Sequence, residues 1–186
     1  MLKAIFSRVI DGFERQWGYD ASYMRCLLRA NTPSFFKFSL VTGVADRKAA
    51  PAEALAAAGI VGTLAEDCGP CTQIGVDMAV AGGVNPEVLR AILAGDEAAM
   101  GEAAALAWRF ARASLARDLE TVDPLRDEIV RRWGDKALVA ISLTLMTSRM
   151  YPTLKYALGY GKACSKVVVA GTAIAPHPIA TTPLAA

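Results

Sequence analysis

Leu2, Ile5, Phe6, Val9, Ile10, Phe13 and Trp17 recur at helical spacing. They predict one amphipathic helix with a core-facing stripe, and Gly18 ends it. A second helix is expected over 21–30, carrying Tyr23, Met24, Leu27 and Leu28, and Pro33 opens a third with Phe35, Phe36, Phe38 and Leu40. The alanine-rich stretch from Ala49 to Glu66 has Pro51 and Glu53 near its start, which suits a helix N-terminus. After Asp67-Cys68-Gly69-Pro70, a further apolar helix runs from Cys71 to about Ala81 and stops at Gly82-Gly83. Asn85-Pro86-Glu87 combines an N-cap, a first-position proline and a first-turn acid, so a helix starts there and ends at Gly95. Another is expected from about Ala98 to Asp118. Asp123-Pro124 repeats the cap-and-proline signature for the next, striped by Leu125, Ile129, Val130 and Trp133. Gly134-Asp135 opens a long last helix that Pro152 should kink or break. Nothing alternates with period two over a useful length. Val167 to Val169 is the single strand-like run, and the proline-bearing segment 175–186 reads as an extended tail. The expected fold class is all-α: one domain spanning 1–186 with short connections, and no linker long enough to divide it.

The 186 residues are 54% hydrophobic and 20% charged, with a net charge of +2, and the mean hydropathy is +0.32. A near-neutral balance supplies no electrostatic footprint for nucleic acid or an acidic membrane surface. A spanning helix needs about 20 apolar residues. The best run, Ala137 to Met146, is shorter, holds Ser142 and Thr144, and is flanked by Lys136 and Arg149; it reads as a buried core helix. At the N-terminus Arg8, Asp11, Glu14 and Arg15 interrupt any export signal, so a cytoplasmic location is expected. In that compartment four cysteines are not a structural disulfide framework.

Cys68 and Cys71 flank Gly69-Pro70 at a predicted helix start, where residues three apart share one face within disulfide reach. Unpaired N–H groups and the helix dipole favour thiolate there. The pattern is that of a dithiol that cycles with its disulfide, although two inert core cysteines would also fit the spacing. Half a zinc site would need two more ligands. Cys26, Cys164 and His177 are the remaining soft candidates, and none stands at ligand spacing, so no metal is expected. No cofactor is expected either, because Gly159-Tyr160-Gly161-Lys162 lacks the strand-to-helix context of a dinucleotide loop. Cys-Gly-Pro-Cys is also thioredoxin's motif. Thioredoxin places it after a buried strand, whereas here an alanine-rich helix precedes it.

With an all-helical frame, the chain resembles the alkylhydroperoxidase-D-like superfamily, which includes the carboxymuconolactone decarboxylases and peroxidase-related proteins. The resemblance is carried by the helix leading into Glu66-Asp67-Cys68-Gly69-Pro70-Cys71, by Gly83-Val84-Asn85-Pro86-Glu87, and by the Val139–Thr147 helix followed by Arg149-Met150-Tyr151-Pro152. It covers residues 45–160, with 1–44 as a helical extension. It implies a compact helical bundle that assembles as a trimer, hexamer or dimer. It also implies a cysteine pair that reduces a small hydroperoxide, or relays electrons between a thiol/disulfide substrate and a reducing partner protein. A non-catalytic dithiol carrier, or a ligand-binding helical oligomer on the same scaffold, is the alternative. The family's redox members usually carry a His four residues after the second cysteine and a Glu twelve before the first; here those positions are Gly75 and Ala56. The decarboxylases lack the cysteine pair.

A peroxide-cleaving thiol needs a base for its own proton and an acid for the leaving oxygen. Cys68, Cys71 and Glu66 are therefore the candidate catalytic residues, with Glu66 folding back toward the thiols to shuttle a proton. Asp67, Asp77 and Arg149 are supporting candidates; Asp67 also has a plainer job, capping the helix. Gln73 could donate a hydrogen bond, and Arg149, Tyr151 and Tyr156 lie where the last helix can return over the pair. Cys26 and Cys164 read as buried apolar residues, and His177 as a loop residue.

Overall fold

The computed structural model describes residues 2–164 and 166–179, so residues 180–186 of the expected tail lie outside the described residues. Nine α-helices occupy most of them: α1 (Leu2–Trp17), α2 (Ser22–Ala30), α3 (Thr32–Ser39), α4 (Ala52–Ala65), α5 (Gly69–Ala81), α6 (Pro86–Ala94), α7 (Glu102–Ala116), α8 (Leu119–Trp133) and α9 (Asp135–Ala157). A single 3-10 turn, Leu40–Gly43, follows α3. The class is all-α. Among the described residues no helix is long and apolar enough to cross a membrane.

Helix α4 is the centre of the fold. It is apolar nearly all round, which marks a helix enclosed over most of its length. Ala54, Ala57, Ala58, Ile60, Val61, Gly62 and Leu64 are all buried. It packs chiefly on α7 and α9. Small residues allow the close approach: a Cβ added at Gly62 would overlap Ser148 Oγ and sit 3.0 Å from the Leu145 carbonyl oxygen. Leu89, Ile92 and Leu93 of α6, Leu106, Trp108 and Phe110 of α7, Ile129 of α8 and Ile141 of α9 complete this core.

A second apolar cluster joins the N-terminal helices to the rest. Ile10, Tyr19, Ala21, Tyr23, Leu28 and Phe35 pack with Ile74 of α5 and Tyr151 and Leu154 of α9. The expected α1 stripe is wider than the face this cluster covers. Phe6, Ile10, Phe13 and Trp17 pack inward, while Ile5 and Val9 stay exposed.

Several helix boundaries differ from expectation. The helix expected to run from Ala98 starts at Glu102, behind Gly101 at φ 73°, and ends at Arg117 in the left-handed region. The next begins at Leu119 rather than at Asp123-Pro124: the Asp118 carboxylate caps it by accepting from Thr121 N–H (3.2 Å). Pro124 therefore lies inside α8. Helix α9 likewise continues through buried Pro152 to Ala157. In both cases tertiary packing outweighs the loss of one helical N–H.

The strand-like run is half of a small hairpin. β1 (Val167–Val169) pairs antiparallel with β2 (Thr172–Ile174) in the register Val167 to Ile174. Ala170 and Gly171, both at positive φ, make the two-residue turn. Val167 and Val169 are buried against the main core, and this seats the hairpin beside α5 and α6.

Candidate active site

The chain leaves α4 at Glu66, turns through Asp67 at φ 48°, and enters α5 with Cys68 as N-cap and Pro70 in the first turn. Aspartate is one of the few non-glycine residues that tolerates this left-handed region. The turn is locked from several sides. Cys68 N–H donates to the Thr63 carbonyl (3.3 Å), and Thr72 N–H to the Cys68 carbonyl (2.9 Å). Thr72 Oγ1 lies within hydrogen-bond distance of the Cys68 carbonyl (3.0 Å) and of Thr63 Oγ1 (3.1 Å). Helix α5 therefore begins two residues earlier than expected, and Cys71 sits in its first turn.

Cys68 and Cys71 lie at disulfide distance, with Cα atoms 5.3 Å apart. The pair is sealed: Cys68 is 0% and Cys71 4% exposed. One wall is the segment after α9. Gly69 N–H donates to the Lys162 carbonyl (3.1 Å), and a Cβ at Gly69 would stand 2.8 Å from the Ala163 carbonyl oxygen. The opposite wall is the corner between α1 and α2, where Tyr19 Oη lies 3.9 Å from Cys71 Sγ.

The expected acids are placed otherwise. Glu66 does not fold back to the sulfurs. Its carboxylate turns to α9, where it accepts from Arg149 Nε (2.7 Å) and Thr153 Oγ1 (3.2 Å) and pairs with Arg149 Nη2 (2.5 Å). Glu66 and Arg149 are thus joined to each other, clamping the end of α4 to α9. Asp67 does not cap α5. Its side chain accepts from Cys164 N–H (2.9 Å), and its carbonyl accepts from the Tyr156 hydroxyl (2.8 Å), so it ties the covering segment down. Asp77 accepts from Gln73 Nε2 (2.9 Å). Gln73 in turn holds the hairpin, donating to the Val168 carbonyl and accepting from Val168 N–H. A Cβ at Gly75 would meet no atom within 4 Å.

Sequence reasoning gave no role at the site to Lys155, to Tyr19 with its neighbour Tyr23, or to Cys164. Lys155 of α9 is only 2% exposed. It donates to Tyr19 Oη (3.2 Å) and lies over the rings of Tyr19 (4.7 Å) and Tyr23 (5.4 Å). Burial pushes Lys155 down from the ordinary lysine range, partly offset by the negative charge of Asp20. Burial pushes the Tyr19 phenol up to about 12, partly offset by a hydrogen bond with Tyr23, and pushes Tyr23 higher still. The third is Cys164, expected as an inert apolar residue. It borders the motif, with its Cα 3.2 Å from where a Gly69 Cβ would stand. Burial raises its thiol. Lys155 was legible in principle. Buried Ala137, Ile141, Leu145 and Pro152 mark the inward stripe of α9, and Lys155 falls on its next turn. A lysine on an apolar stripe signals either a paired charge or a functional one.

Among the described residues no group of three or more His, Cys, Asp or Glu is placed to hold a metal ion. Compared with protein-family models, curated proteins and solved structures, the chain matches none.

Proposed function

We propose that the protein is a thiol-dependent oxidoreductase whose Cys68-Gly69-Pro70-Cys71 pair cycles between dithiol and disulfide. Its substrate is a small hydroperoxide or a thiol/disulfide compound, and a reducing partner protein resets it. The observation that carries this reading is the cysteine pair itself, at disulfide distance in the first turn of a helix, with a tyrosine hydroxyl on one sulfur. The fixed turn holds both sulfurs in reach of each other, so closing the disulfide needs little backbone movement. The helix N-terminus stabilises the thiolate that must form first.

In the peroxidatic version one thiolate attacks the terminal oxygen of ROOH, the O–O bond breaks and ROH leaves. The resulting sulfenic acid is attacked by the second thiol, expelling water and closing the disulfide. Two thiols and one hydroperoxide become one disulfide, one alcohol and one water. The order of elements, which resembles the alkylhydroperoxidase-D-like superfamily, supports the same chemistry. Assembly as a homo-oligomer and a cytoplasmic location belong to this reading. Exposed Ile5 and Val9 on α1, Phe36 on α3, and Val139 and Met146 on α9 support the assembly.

A second reading, a dithiol carrier or ligand-binding oligomer without peroxide turnover, is favoured by the burial of both sulfurs and by Gly75 and Ala56 at the family's proton-relay positions. One titration separates the two. Fully reduced protein is mixed with increasing hydroperoxide, and free thiols and remaining peroxide are counted. The peroxidatic reading expects two thiols lost per chain for each hydroperoxide consumed, and no such coupled loss in Cys71→Ser. Slow or absent peroxide consumption, with rapid exchange against a small disulfide, assigns the carrier role.

A further inference from the structure

We propose that Lys155 and Tyr19 form the proton relay of this site, and that Cys71 rather than Cys68 is the sulfur they serve. The assignment rests on the redox reading for its electron step, while its proton step stands on the contacts alone.

In the disulfide state Cys71 Sγ carries no hydrogen, so in the 3.9 Å contact the Tyr19 hydroxyl is the donor. The Tyr19 oxygen has two lone pairs. One accepts from Lys155 Nζ at 3.2 Å, and the tyrosine's own hydrogen is directed to the sulfur. Among the described residues Lys155 makes no ion pair with a carboxylate; the acid that acts on it electrostatically is Asp20. Burying a lysine this deeply without a partner carboxylate disfavours its charged form. Cation–π contact with Tyr19 and Tyr23 offsets only part of that cost. The amine is therefore poised to give up and regain a proton, and its hydrogen bond to Tyr19 gives it a route to Cys71.

The step balances within the site. In the dithiol form the Cys71 proton passes to Tyr19 Oη while the tyrosine's proton passes to neutral Lys155 Nζ. The products are thiolate, neutral tyrosine and ammonium. When the thiolate cleaves ROOH, the same proton returns through Tyr19 to the leaving alkoxide, and Lys155 is neutral again. These two side chains thereby supply what the family places at the positions of Gly75 and Ala56. Tyr19 lies between α1 and α2, so the N-terminal helices complete the site.

The charged and titratable groups that face Lys155 are Tyr19 and Asp20 before α2, Tyr23 on α2 and Lys162 after α9; Tyr151 of α9 acts on both tyrosines. The test reads the proton affinity of each sulfur. Reduced full-length protein is pulsed with iodoacetamide across about pH 5 to 10, and alkylation at Cys68 and Cys71 is scored separately by peptide mass spectrometry. In the unaltered protein Cys71 is expected to react with a midpoint below that of an ordinary thiol. In Lys155→Met and in Tyr19→Phe the Cys71 midpoint should rise by about one pH unit or more, with a smaller change at Cys68. Tyr19→Phe deletes only the hydroxyl, so it decides the matter if Lys155→Met does not fold. A Cys71 midpoint unmoved in Tyr19→Phe, or a shift confined to Cys68, overturns the relay. The profile is read on the reduced protein with no oxidant, so failure of the peroxide titration would sink the peroxidatic reading and leave this assignment to be judged on its own.

Discussion

Gly62→Ala is expected to destabilise the protein by about 1–3 kcal/mol, although alanine is the better helix former by about 1 kcal/mol. The reason is the α4–α9 contact. An added Cβ would overlap Ser148 Oγ, stand 3.0 Å from the Leu145 carbonyl oxygen and 3.3 Å from Arg149 Cγ. The serine can rotate away, at the cost of its 2.9 Å hydrogen bond to Leu145. The carbonyl is helix backbone and cannot, so the two helices must separate. Gly59 lies one turn earlier on α4 and is the internal control. A Cβ there would meet Thr144 Cγ2 at 3.5 Å, an ordinary contact. Gly59→Ala should therefore be neutral or gain about 0.5–1 kcal/mol. Urea midpoints of the two variants measured side by side check the claim. Equal and favourable shifts at both positions would mean that α4 and α9 are not in close contact at Gly62. Separation here also strains Arg149, and through it the Glu66 clamp that sets where α4 ends and the cysteine turn begins.

The second large effect is expected at Gly69, where the consequence is reactivity as much as stability. An alanine Cβ would be 2.8 Å from the Ala163 carbonyl oxygen and 3.2 Å from Cys164 Cα. Both are backbone atoms, so segment 162–164 has to lift off the start of α5. The Gly69-to-Lys162 hydrogen bond then breaks, and the hold of Asp67 on Cys164 loosens. This segment is one of the two walls over a pair of fully covered sulfurs. Weakening it by about 1.4 kcal/mol should raise the population of the open form about tenfold. In Gly69→Ala, iodoacetamide should therefore alkylate Cys68 about tenfold faster at fixed pH, while global stability falls by about 1–2 kcal/mol. An unchanged alkylation rate in a folded variant would show that access to the pair does not pass under segment 162–164.

Periodicity and helix punctuation placed most elements correctly, because α6 and α9 owe their positions to apolar stripes and local start signals, and α4 to its alanine-rich run behind Pro51. Asn85 caps α6 as expected, accepting from Glu87 N–H at 2.9 Å. The failures arise where tertiary packing overrides a local rule. Pro124 and Pro152 lie within helices because the buried faces of α8 and α9 continue past them. Three-residue strands carry too few alternations to reveal a hairpin, and its Ala170-Gly171 turn shows only in the backbone angles. At the site, the cysteine pair was legible because two residues three positions apart on one helix turn fix their own geometry. Its partners were not. Sequence proximity favoured Glu66, Asp67 and Asp77, but each of these has a hydrogen-bonding job elsewhere. Tyr19, which does reach Cys71, is joined to Lys155 by the return of α9 over the α1–α2 corner, and the two are 136 positions apart in the chain. Only the placement of a lysine on the inward stripe of α9 pointed to them.

The central claim is that Cys68 and Cys71 interconvert as one two-electron couple within an otherwise fixed fold. Equilibrating the full-length protein in graded mixtures of reduced and oxidised dithiothreitol, trapping thiols by alkylation and mapping them by mass spectrometry tests this most directly. Cys68 and Cys71 are expected to be lost and regained together in a single transition, joined to each other, while Cys26 and Cys164 stay alkylatable throughout and the helical circular dichroism does not change. A pair that stays fully alkylated in the most oxidising mixture, or a disulfide from either cysteine to Cys164 in its place, would contradict it.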